Sequence, residues 1–331
     1  MSKSKRTPKA KATKSRNPHV RAQKHGHSSP VPKATAVDWV AAARLRTLPL
    51  AIAPVALGTG IGIFEGGQQL AWRPVNAVLA LIVALALQIG VNYANDYSDG
   101  VRGTDAYRVG PKRLTGSGAA QASSVRTVAF SFFGLAAIAG LVLVLLTAQW
   151  WLLAVGALAI AAAWFYTGGK RPYGYLGLGE LMVFVFFGLV ATAGSALVQS
   201  DVLWSQSAMI GGAGVGLMAC AVLMANNLRD REQDALAGKR TLAVLLGNVG
   251  SRIAFAVFML LPFVAVWFLS LVIPAVGLAY FVLLMAVPAA IIVGWAKTPR
   301  ELIWALQLAS LSALGYGVLI GAAFALAGHT A

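Results

Sequence analysis

The sequence predicts an all-α membrane protein, about nine transmembrane helices packed as a bundle, and three observations carry that prediction. The first is composition: 58% of residues are hydrophobic and only 11% charged, with a mean hydropathy of +0.71, whereas soluble domains carry about a quarter charged residues. The second is a recurrence of apolar runs long enough to cross a hydrocarbon core, which takes about 20 residues. The third is the distribution of basic residues over the loops between those runs. With the N-terminus in the cytosol and strict alternation, every Lys and Arg except Arg73 falls on the cytosolic side. A miscount of one helix would scramble that bias, so orientation and helix number support each other.

Taken in order, residues 1–36 hold ten Lys/Arg and no acid, together with Pro8, Pro18, Pro30 and Pro32. Such a segment cannot bury a core and reads as a disordered basic cytosolic tail. It lacks the apolar stretch of a cleavable signal, and its charge suits anionic membrane lipid better than nucleic acid. Residues 37–331 form the polytopic domain, with spans expected at 37–64, 76–97, 124–147, 150–167, 178–198, 206–227, 250–273, 276–296 and 303–327. The division at Gln149 and the one near Pro274 require tight turns. Gly and Pro within spans (Pro49, Pro54, Pro262, Pro288, Gly211 to Gly216) fit membrane helices that pack closely through small residues. Cys220, the single cysteine, lies in an apolar run and excludes an internal disulfide framework.

The eleven acids are not scattered. Six lie in two stretches that leave the second and sixth helices on the cytosolic side, Asn92–Asp105 and Asn226–Asp234. Asn92, Asp96 and Asp99 share one helical face by their i, i+4, i+7 spacing, and Asn95 falls beside Asp99. Asn226 and Asp230 repeat the i, i+4 spacing, and each stretch runs on to Gly and Lys-Arg (Gly110, Lys112, Arg113; Gly238, Lys239, Arg240). That faint repeat hints at two four-helix halves plus a ninth helix. One acidic loop is a solvated face; two matched ones at a membrane boundary describe an oxygen-rich site for a hard cation such as Mg²⁺. Acids interleaved with Lys and Arg suit a metal-clamped diphosphate, which leaves readily from an allylic carbon. A polyprenyl diphosphate has that headgroup, and its tail needs a lateral apolar cavity among the helices beneath cytosolic cap loops. The histidines (19, 25, 27 and 329) lie in the tails, so the core offers no histidine base.

The motifs as a set resemble the UbiA-type intramembrane prenyltransferases. Asn95-Asp-x-x-Asp99 and Asp230-Arg-x-x-Asp234-x-x-x-Gly238-Lys239 resemble that family's paired Asp motifs. Arg44-Leu-Arg-Thr-Leu-Pro49, Asn92-Tyr-Ala-Asn-Asp-Tyr97, Arg108-Val-Gly-Pro111, Tyr166-Thr-Gly-Gly with Arg171-Pro-Tyr-Gly, Leu178-Gly-Glu180, Phe184-Val-Phe-Phe-Gly188 and Gly238-Lys-Arg-Thr-Leu-Ala243 are similar to its menaquinone-pathway branch, the 1,4-dihydroxy-2-naphthoate polyprenyltransferases. The resemblance covers residues 37–327. Where many members carry a third acid, position 103 is glycine, with Asp105 the nearest substitute.

The resemblance implies Mg²⁺-dependent transfer of a polyprenyl group to 1,4-dihydroxy-2-naphthoate in the cell membrane. Asp96, Asp99, Asp230 and Asp234 are then the catalytic metal-binding acids, with Asn92, Asn95 and Asn226 beside them. Arg113, Lys170 and Lys239 are candidates for phosphate oxygens; Arg229 and Arg231 could orient the carboxylates. Tyr166 is a candidate substrate contact. Arg44 and Arg46 either anchor the first helix at the interface or line the substrate mouth. Glu180 is read as complementing a helix dipole or as part of the chemistry. Other acceptors (4-hydroxybenzoate, homogentisate, a tetrapyrrole, a sugar phosphate) and a cation-coupled transporter are the rival readings. Transporter sites lie near the midplane on broken helices, whereas these acids sit at helix ends.

Overall fold

The structure, a computed structural model, describes residues 32–67, 73–104 and 113–330. Asp105, Arg108, Gly110 and Lys112 therefore lie outside the described residues, as does the tail through residue 31. Among the described residues the protein is entirely helical. Helix α1 (Ala36–Ala42) is a short helix opened by a Thr35/Asp38 capping box. Then follow α2 (Pro49–Gly66), α3 (Pro74–Arg102), α4 (Ala122–Thr147), α5 (Leu152–Phe165), α6 (Gly179–Ser200), α7 (Gln206–Leu236), α8 (Leu242–Ser270), α9 (Pro274–Trp295) and α10 (Pro299–Thr330). Eight of these are long and apolar enough to cross a membrane; α5, at 14 residues, is the ninth expected span and is about 21 Å long at ~1.5 Å per residue. The chain is a multi-pass membrane protein.

Helix starts are written in the sequence. Pro opens α2, α3 and α10, where its missing N–H is not needed. Ser205 caps α7 by accepting from the Ala208 N–H, and Thr298 with Glu301 closes α10 in the same way as α1. Gly247, in a left-handed backbone conformation, interrupts α8 one turn after its start.

The structure departs from the expected spans in two ways that matter for function. The run 37–64 is not one helix: Ala43–Leu48 breaks it, with Arg44 at φ 55° and a single 3₁₀ turn over Leu45–Thr47. Pro49, the first residue of α2, has no N–H with which to continue a hydrogen bond from the preceding turn, so the helix starts afresh there. The left-handed Arg44 is held in place where the Asn92 amide donates to the Ala43 carbonyl at 2.9 Å. Conversely, α3 and α7 run on past their apolar stretches, to Arg102 and Leu236. Hydropathy marks a span only as far as the apolar run lasts, while the hydrogen-bonded helix carries on beyond it. Both acidic motifs thus sit on helix, not on loop.

The bundle is drawn together by small residues. A Cβ added at Gly60 would lie 1.9 Å from the Gly321 carbonyl oxygen, and one at Gly188 2.6 Å from the Gly216 Cα. Backbones of α2 and α10, and of α6 and α7, therefore touch, which dispersion between small residues permits in lipid. Residues Phe184–Val190 of α6 form a π-helical segment around that glycine contact. At the end remote from the acids, Glu65 accepts from Ser205, Asn76 donates to Val198, and Arg73 forms a bidentate pair with Asp201 at 2.6–2.9 Å. Arg73, the one basic residue expected off the cytosolic side, thus sits beside one of the few acids away from the motifs.

Candidate active site

A cavity of about 800 Å³ opens among α2 to α7. Its walls are apolar: Pro54, Val83 and Leu87, Gly140 and Val144, Ile160, Phe186, Phe187 and Val190 among others. Along α3 it reaches from Asp99 back to Ala80, more than five turns, about 28 Å at ~1.5 Å per residue. The π-helical segment of α6 adds Phe186, Phe187 and Val190 to the wall, consistent with the tendency of π turns to occur where side chains serve a site.

Polar groups gather at one end. Asn92, Asn95, Asp96 and Asp99 from α3, Asn226, Asn227, Arg229, Asp230 and Asp234 from α7, and Arg44, Arg46, Arg113, Tyr166, Thr167, Tyr173, Tyr175 and Lys239 from the connections all line the cavity. The two acidic stretches, far apart in sequence, thus face one another. Lys239 spans them, with its ammonium 3.3 Å from Asp99 Oδ2 and 3.6 Å from Asp234 Oδ1. Arg113 lies 3.3 Å from the same Asp99 oxygen. Arg229 forks onto Asp230 at 2.8 and 2.6 Å and also donates to Asn226 Oδ1 at 2.9 Å. Asp96 accepts the backbone N–H groups of Leu114 and Thr115 at 2.9 and 2.8 Å, pinning the Leu114–Gly118 turn onto the end of α3. Asp99 and Asp230 are 3% and 5% exposed, and carboxylates are tolerated at such burial only with cations or donors around them.

Several sequence candidates hold geometry as well as face the cavity. Asn92 anchors the α1–α2 break, and Asn95 accepts from the Thr167 hydroxyl at 2.7 Å. Arg46 is exposed at the cavity edge, and its carbonyl accepts from Ser310. Lys170 is exposed and does not line the cavity. Arg231 likewise lies off the cavity and pairs with Glu232 at 3.5 Å instead of orienting the acids. Glu180 is buried and accepts from Asn227 at 3.0 Å, tying α6 to α7 behind the cavity wall.

Sequence reasoning missed Tyr175, Thr167, Arg102 and Asn227. Tyr175 donates to Asp99 Oδ1 at 2.5 Å, and burial together with the Asp99 charge raises its phenol above the ordinary range. Arg102 donates to the carbonyls of Thr167 and Gly169. Asn227 sits inside the Asn-Asn dipeptide of the second motif, a signal available in the sequence. Tyr175 carried none beyond its neighbourhood.

Among the described residues no three acidic, histidine or cysteine side chains gather around one point. Mg²⁺ does not require that: it takes one or two carboxylates and completes its octahedron with phosphate and water. Paired acids on two facing helix ends, with a cationic side chain already bridging Asp99 and Asp234, fit a donor set that phosphate oxygens would complete.

Comparison with known proteins agrees with this geometry. Residues 51–308 match the UbiA prenyltransferase family. A 1,4-dihydroxy-2-naphthoate octaprenyltransferase of Mycobacterium tuberculosis is 47% identical over 293 residues, 88% of this chain and 98% of that protein. Its counterpart of the same name in Mycobacterium leprae is 50% identical over 220 residues, 66% of this chain and 72% of that protein. In three dimensions, a UbiA homologue from Archaeoglobus fulgidus, solved bound to DMAPP and Mg²⁺, superposes with a TM-score of 0.57 at 13% identity, covering 83% of this chain and 98% of that one. Sequence motifs, fold and facing acids converge, and the chain belongs to the UbiA prenyltransferase family.

Proposed function

We propose that this protein transfers a polyprenyl group from a polyprenyl diphosphate to 1,4-dihydroxy-2-naphthoate, with loss of the carboxyl group, in menaquinone biosynthesis. One observation carries the reading: two acidic helix ends, bridged by Lys239, close the polar end of a long apolar cavity in a chain 47% identical to a 1,4-dihydroxy-2-naphthoate octaprenyltransferase.

Asp96, Asp99, Asp230 and Asp234 would hold Mg²⁺ together with phosphate oxygens; when bound, the metal neutralises the diphosphate and makes it a good leaving group. Lys239 and Arg113, which line the polar end, would meet the remaining phosphate oxygens, and Arg229, forked onto Asp230, would orient that carboxylate. Asn226 and Asn95 keep these groups in register. The isoprenoid lies along the apolar wall, whose exclusion of water protects the allylic carbon as its bond to the diphosphate oxygen breaks. The electron-rich naphthoate ring forms the new carbon–carbon bond there, and its carboxyl group departs as carbon dioxide and a proton. Preorganised charge at the polar end supplies most of the acceleration. In this reading Tyr166 and Arg44 line the space beside the diphosphate where an acceptor enters.

The basic loops support an orientation with the N-terminus and the acidic face in the cytosol and the protein in the cell membrane. The tail of residues 1–36 engages anionic lipid from the same side.

Purified protein incubated with labelled polyprenyl diphosphate, Mg²⁺ and the naphthoate is expected to yield demethylmenaquinol, oxidised to demethylmenaquinone, and to lose this activity with chelator. 4-Hydroxybenzoate or homogentisate used in preference to the naphthoate would reject the acceptor assignment. Asp230→Asn is expected to lose at least 100-fold in turnover; near-normal Mg²⁺-dependent turnover in that variant would remove the acids from the metal role.

A further inference from the structure

Tyr175 lies in neither acidic motif, yet three elements of the site meet on it. Its hydroxyl donates to Asp99 Oδ1 at 2.5 Å. Its ring lies beneath the Lys239 ammonium, 4.8 Å from the centroid, and beside the Arg102 guanidinium at 5.5 Å. Its carbonyl accepts the Arg240 N–H at 2.9 Å. The turn that carries it is fixed from both sides. Arg102 holds the Thr167 and Gly169 carbonyls against the end of α3. Gly177, at φ 80°, brings the chain so close to the start of α8 that an added Cβ would lie 2.8 Å from a Leu245 side-chain methyl.

We propose that Tyr175 is the positioning residue that registers the two acidic helix ends across the diphosphate site, its phenol orienting Asp99 and its ring orienting Lys239. The inference rests on the prenyl diphosphate reading above. Asp99 already faces Lys239 and Arg113, and a neutral donor on its other oxygen keeps the carboxylate from rotating fully onto the ammonium. Lys239 thereby remains available to a phosphate oxygen, and the aromatic face steadies it without neutralising it. A phenol suits this role better than another cation, which would compete with a divalent metal for the same carboxylate.

Tyr175→Phe separates the two functions, since it keeps the ring and removes the donor; Tyr175→Leu removes both. Initial rates in full-length purified protein would be measured against polyprenyl diphosphate and Mg²⁺ at saturating acceptor. Equilibrium binding of a non-hydrolysable polyprenyl diphosphate analogue with Mg²⁺, without acceptor, would accompany them. Tyr175→Phe is expected to raise KM for the diphosphate and the Mg²⁺ half-saturation about tenfold with kcat within about threefold, the size of one hydrogen bond to a charged group. Tyr175→Leu is expected to weaken analogue binding about 100-fold. Both variants binding the analogue within twofold of wild type would overturn the inference, and so would a loss of kcat and thermal stability together with unchanged KM. A wild-type protein that binds the analogue but does not prenylate the naphthoate would defeat the acceptor reading alone, because the binding arm still judges Tyr175.

Discussion

At the residue scale, the site is a balance of buried charges in which single side chains hold more than one duty. Lys239 is the clearest case, 9% exposed and bridging acids from both motifs. Lys239→Met leaves Asp99 and Asp234 facing each other without that cation, and breaking a buried pair costs ~3–5 kcal/mol. We expect kcat/KM to fall at least 100-fold with a rise in KM for the prenyl diphosphate, measured by initial rates; a change below threefold would contradict the bridging role. Asp96 differs from Asp99 because it also fixes the Leu114–Gly118 turn through two backbone donors. Asp96→Asn should therefore lower thermal stability as well as activity, by about 1–2 kcal/mol for one donor left unmatched. The Tyr175 phenol, raised by burial and by Asp99, stays protonated and donating as pH rises. The ratio of wild-type to Tyr175→Phe activity should accordingly be flat from pH 6 to about 9.5, below the ordinary tyrosine range. A ratio that drifts in that window would show the phenol titrating.

At the element scale, helix contacts through small residues draw the bundle together. The Gly60 site on α2 meets the Gly321 carbonyl of α10 with no space for a side chain. Gly60→Val must push the backbones apart, and overpacking of this kind costs ~1–3 kcal/mol. A lowered thermal midpoint in detergent is expected, while an unchanged midpoint would mean that the two helices separate without cost. The break between α1 and α2 belongs to the same scale. A non-glycine residue held at φ 55° costs ~1–3 kcal/mol, and such strain gathers at functional sites. Here it falls at Arg44, which with Arg46 lines the cavity.

At the scale of the whole molecule, the bundle has one acidic end and one end carrying the Arg73–Asp201 pair. Native Cys220 is buried, so single cysteines introduced at exposed Arg171 and Trp204 report on opposite ends. Arg171→Cys should react with an impermeant thiol reagent only from the cytosolic side of sealed vesicles, and Trp204→Cys only from the other; the reverse pattern would invert the orientation inferred from the loops.

The sequence by itself determined that this is a membrane bundle, where most of its apolar runs lie, and that its acids concentrate in two stretches. These follow from composition and from the cost of charge in lipid, which act locally and leave a mark at each position. It did not reveal that the first run is broken at Arg44, because Pro49 at the start of a helix and Pro54 within one look alike in hydropathy. Nor did it reveal that α3 and α7 run on past their apolar stretches, since hydrogen bonding, not hydropathy, ends a helix. Only the tertiary structure brought Asp99 to Lys239, set Asn227 against Glu180, left Lys170 outside the cavity and put Tyr175 between the motifs. Those placements depend on how three distant segments dock on one another, and contacts of that kind are set by packing in three dimensions, with no period or spacing along the chain to record them.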